Sequence, residues 1–139
     1  MGNSESRQIN WFLDAIICGR DNDVAKMLKD NPELAKCEFH NGTTNPMCRA
    51  TYLGRRNIIV LLLKHGADIN KRSFDGRSSL HWAAFRNNIQ ILELLVSNDV
   101  DITLEDKDGF NALDLAITRI NYKAAYYLVS ETDLKPKSI

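Results

Sequence analysis

Apolar residues recur at helical spacing in two stretches of the chain. Ile58, Leu61 and Leu62 line one side of a predicted helix, and Ile91, Leu94 and Leu95 do the same 33 residues later. The correspondence extends beyond these positions. Residues 61–70 (LLLKHGADIN) align without a gap on residues 94–103 (LLVSNDVDIT). Asp75-Gly76 recurs as Asp108-Gly109, and Leu80, Ala83 and Leu95 recur as Leu113, Ala116 and Leu128. A fixed period of this length marks a stack of supersecondary units, each unable to bury its hydrophobic face alone.

The polar positions punctuate each unit. A turn dipeptide opens it: Asn41-Gly42, Asp75-Gly76 and Asp108-Gly109. Both dipeptide types tolerate the positive φ of tight hairpins. Asn45, Ser78 and Asn111 follow as helix caps, and Pro46 suits a first helical position, where no N–H is required. A short helix is predicted to run to about Gly54, Asn87 or Asn121, and the apolar second helix comes next. Gly66, after His65, closes one of these in a left-handed cap. A weaker first unit has a helix over residues 11–19, a second over 24–28, and a closing Asn31-Pro32-Glu33-Leu34.

These residues resemble the ankyrin family. Its signature G-x-T-P-L-H-x-A-A appears as GRSSLHWAA from Gly76 to Ala84, and more loosely over residues 45–50 and 109–116. The family ending L-L-L-x-x-G-A-D-x-N is matched fully by Leu61 to Asn70. The resemblance implies an all-α solenoid of stacked helix-turn-helix units with hairpin loops. Its expected divisions are an N-terminal segment (1–9), a capping first repeat (10–39), repeats at 40–72 and 73–105, a last repeat (106–133) and a tail (134–139). Tyr122, Lys123 and Tyr126 suggest a polar capping face on the last unit. In the family the histidine matching His81 ties loop to helix. Cys48 and Asp114 replace it in the neighbouring units, so repeats 2 and 4 are expected to bond differently, and repeat 2 has one extra residue between Gly42 and Met47.

Charge narrows the function classes. Eighteen basic residues balance eighteen acidic ones, which argues against a dedicated nucleic-acid binder. By segment the balance is uneven. Residues 1–39 carry five basic against seven acidic, residues 40–72 six against one, residues 73–106 two against six, and the remainder five against four. Three cysteines without a paired framework favour a reducing compartment. No apolar run approaches the ~20 residues that span a bilayer, and no secretory signal opens the chain, so a cytoplasmic or nuclear site is expected.

Catalytic and metal chemistry find little support. No Ser or Cys nucleophile with an orienting acid is evident beside His81. Cys37, His40 and Cys48 supply only three zinc ligands and no C-x-x-C pair. No phosphate-cradling or dinucleotide-binding glycine motif is present, and no cofactor is expected. Arg49 and Trp82 share one repeat position, which in the family packs between units, so Trp82 is expected in the core. Arg49 corresponds to Asp14 of the first unit and is expected to pair with it. Arg55 and Arg56 read as a solvated edge.

The resemblance implies a partner-binding surface of hairpin tips and first helices. Carried onto this chain, the tips are Phe74, Asp75 and Arg77, then Lys107, Asp108 and Phe110. The helix face is Tyr52, then Phe85 and Arg86, then Thr118 and Arg119. The expected partner is another protein, bound by a monomer acting as adaptor, scaffold or inhibitor. The alternative is the targeting segment of a larger enzyme or channel. Separately, residues 1–6 (MGNSES) fit the myristoylation pattern, with Gly2 as acceptor and weak membrane association as its consequence.

Overall fold

The computed structural model of the chain describes residues 4–40 and 42–136. Among these lie eight α-helices: α1 (Ser4–Cys18), α2 (Asp21–Asp30), α3 (Pro46–Tyr52), α4 (Arg56–Lys64), α5 (Ser79–Phe85), α6 (Ile89–Ser97), α7 (Ala112–Thr118) and α8 (Tyr122–Glu131), with a 3₁₀ turn at Pro32–Lys36. They stack as four antiparallel pairs. The odd-numbered helices form one layer, α1 against α3, α3 against α5 and α5 against α7, and the even-numbered helices pack behind them.

The core follows the apolar periodicity. Ile58, Ile59 and Leu62 of α4, and Ile91, Leu92 and Leu95 of α6, are fully or almost fully buried, as are Ala50, Leu80, Ala83, Leu113 and Ala116 of the first helices. Small alanines at the helix contacts let neighbouring units approach closely. Each buried aliphatic side chain contributes about 1.5–3 kcal/mol of transfer free energy.

The hairpin tips are coupled to one another. Ser73 N–H donates to the Arg77 carbonyl at 2.9 Å and Asp106 N–H to the Phe110 carbonyl at 2.8 Å, closing two turns. Phe74 N–H donates to the Thr43 carbonyl (3.2 Å) and Lys107 N–H to the Asp75 carbonyl (3.0 Å), joining each tip to the one before. Gly76 meets two demands here. Its φ is +80°, and a Cβ at this position would lie 2.9 Å from the Lys107 nitrogen of the next tip.

Loop-to-helix bonding differs among the repeats, as the substitutions at the signature position predict. In the third unit His81 Nδ1 accepts from Ser78 N–H (3.1 Å), and Nε2 donates to the Phe110 carbonyl (2.8 Å). In the fourth, Asp114 accepts from Asn111 N–H and Asn111 Oδ1 accepts from Asp114 N–H, both at 2.9 Å, while Asn111 Nδ2 reaches the Lys135 carbonyl. In the second, Asn45 Oδ1 caps Cys48 N–H at 3.0 Å, and the Cys48 thiol makes only long contacts of 3.6 and 3.7 Å to the Lys71 and Arg77 carbonyls.

Several expectations are corrected. α1 begins at Ser4, so residues 4–9 belong to the first helical unit and not to a separate segment. The polar run before Trp11 is a solvated helix face, tied down where Asn31 Nδ2 donates to Gln8 Oε1. The first helices end at Tyr52, Phe85 and Thr118, before the predicted stops, because Gly54, Asn87 and Ile120 take φ of +75°, +56° and +59°. The last unit exposes Tyr122, Lys123 and Tyr126 as expected, but among the described residues its outer face is also rich in apolar side chains. Ile117, Ile120, Tyr122, Tyr126 and Val129 are exposed there. Ile117 is 51% exposed, whereas Ala84 at the same position of the preceding repeat is fully covered by its neighbour. Gly2 and Asn41 lie outside the described residues.

Arg55 is no solvated edge. Its Nε donates to the Ile16 carbonyl at 3.2 Å, and a terminal guanidinium nitrogen donates to the Ile17 carbonyl, so it caps α1 from the next unit. Asn121 does the same for α5, its amide donating to the Ala84 and Phe85 carbonyls at 2.8 Å. Asn88, at the equivalent position between them, instead caps its own helix through Ile91 N–H. Arg56, one residue after Arg55, is exposed as expected.

Candidate functional site

The first helices and the hairpin tips border a groove between repeats 2 and 3. There a cavity of about 480 Å³ is lined by Thr43, Thr44, Cys48, Arg49 and Tyr52 on one side and by Phe74, Arg77, Trp82 and Phe85 on the other. Its size falls within the range of small-molecule and side-chain pockets.

Three aromatic rings form its wall in edge-to-face order. Tyr52 and Trp82 have centroids 5.6 Å apart at 85°, and Trp82 and Phe85 are 5.5 Å apart at 73°. Such pairs are favoured because a positive ring edge meets a negative ring face. Arginines overlie the same rings. Arg86 lies 4.8 Å from the Tyr52 centroid and Arg119 4.1 Å from that of Phe85. Arg77 lies 5.1 Å from Trp82 and 5.6 Å from Phe85. Lys107, on the next tip, lies 5.9 Å from Phe74.

The predicted site residues therefore fall into connected groups. Tyr52, Phe85, Arg86, Arg119 and Arg77 form one continuous aromatic–guanidinium surface. Phe74 (61% exposed) and Lys107 cross between two tips. Asp75 accepts from Ser73 Oγ and Arg77 N–H and so shapes its own tip. Phe110 serves through its backbone: its carbonyl receives His81, and its N–H donates to Asp106. Asp108 and Thr118 are exposed at the third tip and at the end of α7.

Two groove residues escape the family-based choice. Trp82 is half-buried in the cavity wall and is not core. The residue at its position in the fourth unit, Leu115, is buried. Arg49 lines the same cavity, and its buried Nε has no hydrogen-bond partner. It makes no ion pair with Asp14. Among the described residues the ion pairs join Arg20 to Asp23, Lys71 to Glu38, and Arg77 to Asp75 and Asp106. The shared repeat position of Arg49 and Trp82 was a usable signal, because neither side chain is a small packing residue.

Charge is sorted by face as well as by repeat. Of the six acidic residues of the third unit, Glu93 on α6 and Asp99, Asp101, Glu105 and Asp106 beyond it do not line the cavity; Asp75 lines it together with Arg77, and Arg86 stacks over Tyr52 in its wall. The groove is accordingly more basic than the segment totals imply.

Burial governs the titratable groups beside the groove. It lowers the His81 pKa from its ordinary 6.5, and it raises the Cys48 thiol to about 12 and the Cys37 thiol to about 11. Among the described residues no three His, Cys, Asp or Glu side chains group as metal ligands would, and no helix is long and apolar enough to cross a membrane.

A stack of short antiparallel helix pairs with hydrogen-bonded hairpin tips defines a repeat solenoid. Residues 71–138 match the family model described as ankyrin repeats (3 copies). The E3 ubiquitin-protein ligase XBAT33 of Arabidopsis thaliana is 39% identical over 77 residues, covering 48% of this chain and 15% of that protein. The probable E3 ubiquitin-protein ligase XBOS33 of Oryza sativa is 31% identical over 81 residues, covering 56% and 16%. The Notch-regulated ankyrin repeat-containing protein of Homo sapiens is 29% identical over 86 residues, covering 58% and 73%. Residues 71–138 thus carry ankyrin repeats, whose fold is that of a non-catalytic protein-interaction module. It spans about a sixth of the length of the two plant relatives.

Proposed function

We propose that this chain binds a partner protein through the concave groove of repeats 2 to 4, as an adaptor, scaffold or inhibitor without catalytic activity. The observation that carries this reading is the continuous run from Tyr52 through Trp82 and Phe85 to Arg119. Large aromatic residues and arginine are the usual energetic anchors of interfaces, and here they adjoin a preformed cavity. Alanine substitution of Tyr52 and Phe85 together is expected to abolish capture of the partner while leaving the helical content unchanged. Unchanged capture by that variant, with loss on Arg56→Ala, would place the interface elsewhere.

A second reading comes from the plant relatives, in which the matched stretch is a small part of an E3 ubiquitin-protein ligase. On that reading the groove selects a target for a larger protein. Intact mass from the native source distinguishes the two.

Gly2 is proposed as a myristoyl acceptor on the strength of the pattern alone, in a monomeric cytoplasmic protein that associates weakly with membranes. A single acyl chain supports only reversible membrane binding. A native N-terminal peptide without the added acyl mass would end that proposal.

A further inference from the structure

We infer that the groove takes an extended acidic segment, with a bulky apolar residue seated between repeats 2 and 3 and carboxylates directed toward repeat 4. The inference rests on the concave face being the binding surface and adds the chemistry of its ligand.

Charge carries the first step. Arg77 is already held by Asp106 at 3.4 Å and Asp75 at 3.8 Å. Arg49, Arg86 and Arg119 have no carboxylate within 4 Å among the described residues. Arg49 also keeps a buried Nε without an acceptor, which is costly to leave unpaired. Among the described residues these three guanidinium groups are thus not paired with a carboxylate. A carboxylate ligand would satisfy it, and a guanidinium fork matches a carboxylate bidentately.

Preorganisation carries the second. Arg86 and Arg119 stack over Tyr52 and Phe85, which favours the stacked rotamers and reduces the side-chain entropy lost when their outer N–H groups engage a ligand.

Spacing carries the third. Arg86 and Arg119 occupy the same position of successive repeats, and the equivalent in repeat 2 is Leu53. Packed helices stand roughly 8–10 Å apart. Three residues of extended chain at about 3.3 Å each cover that distance. The row therefore reads acidic residues about three apart. The cavity beside it is walled by Tyr52, Trp82 and Phe85, with Arg49, Arg77 and Asp75 also in its lining. It suits the apolar anchor.

The experiment is selection of a displayed library of random dodecapeptides on the full chain, followed by fluorescence anisotropy of the enriched peptides. The expected consensus is a bulky apolar residue followed or preceded by Asp or Glu at intervals of about three. Its affinity should fall with added salt. Arg86→Glu with Arg119→Glu should weaken it about tenfold or more, and selection on that variant should lose the acidic preference. Arg56→Glu, on the outer layer, should leave it unchanged. A far-ultraviolet circular dichroism melt confirms that the double variant is folded. A neutral or basic consensus that still competes at Tyr52 and Phe85 would overturn the acidic ligand but keep the groove. An acidic consensus indifferent to Tyr52→Ala and Phe85→Ala would overturn the groove itself. Absence of any enriched peptide would overturn both.

Discussion

The imidazole of His81 joins two repeats, its Nε2 donating to the Phe110 carbonyl at 2.8 Å while Nδ1 accepts from Ser78 N–H. Both nitrogens are committed in the neutral ring. A second ring proton would remove the acceptor that Ser78 N–H uses. Desolvation by burial lowers the His81 pKa, against the opposing pull of the Phe110 carbonyl and Asp106, with Arg77 and Arg72 adding to the fall.

Stability is therefore expected to fall on mild acidification. The folded pKa lies below the unfolded 6.5, so between those values the unfolded chain binds a proton that the folded chain refuses. The contribution is complete above about pH 6.5 and is lost as pH falls toward the folded value. Denaturant unfolding of wild type and His81→Gln at a series of pH values tests this. The variant should be about 1–2 kcal/mol less stable at neutral pH through the lost bonding. The gap should narrow as pH falls below 6.5. A gap independent of pH would show that His81 does not titrate in this way.

Arg55→Ala should destabilise the stack by about 1–2 kcal/mol, because two carbonyls at the end of α1 lose a cationic donor. Arg56→Ala, one residue along and exposed, should change stability by less than about 0.5 kcal/mol. Thermal melts of the two variants side by side decide it, and equal effects would remove the capping role.

Ile120→Gly should make the protein more stable. Ile120 holds φ of +59°, and a branched side chain there costs roughly 1–2 kcal/mol. It is 63% exposed, so little burial is lost. The greater freedom of an unfolded glycine offsets about 0.4–1 kcal/mol of the gain. A rise in Tm of about 2–4 °C is expected. Asn87→Gly should give no such gain, because Asn87 Oδ1 receives the Ala124 N–H at 3.0 Å across the repeat boundary. A lower Tm for Ile120→Gly than for wild type would refute the strain.

The stacked helices were legible in the sequence because burial in a repeat array is periodic. Leu62 and Leu95 are buried for the same reason at the same place. The caps were legible too, since Asn45, Ser78 and Asn111 act within a few residues of themselves. The groove was only partly legible. Trp82 and Leu115 share a position, yet one lines a cavity and the other is core, and that outcome depends on Arg49, Arg77 and Phe74 from other units. The capping by Arg55 links residues nearly forty positions apart and leaves no local pattern. The start of α1 at Ser4 was hidden because its first residues face solvent and carry no apolar period.

The three cysteines should separate cleanly by reactivity. Thiolate is the nucleophile, so burial that raises a thiol pKa suppresses alkylation as well as blocking access. Cys18 is exposed near the end of α1. Cys37 is half-buried with its thiol raised to about 11, and Cys48 is buried in the groove floor with its thiol raised to about 12. Brief iodoacetamide treatment of the native protein at mildly alkaline pH, mapped by peptide mass, should modify Cys18 first, Cys37 slowly and Cys48 only after denaturation. A ligand seated in the groove should leave the Cys18 rate unchanged. Native Cys48 reacting as fast as Cys18 would contradict both the burial and the closed packing of the groove floor.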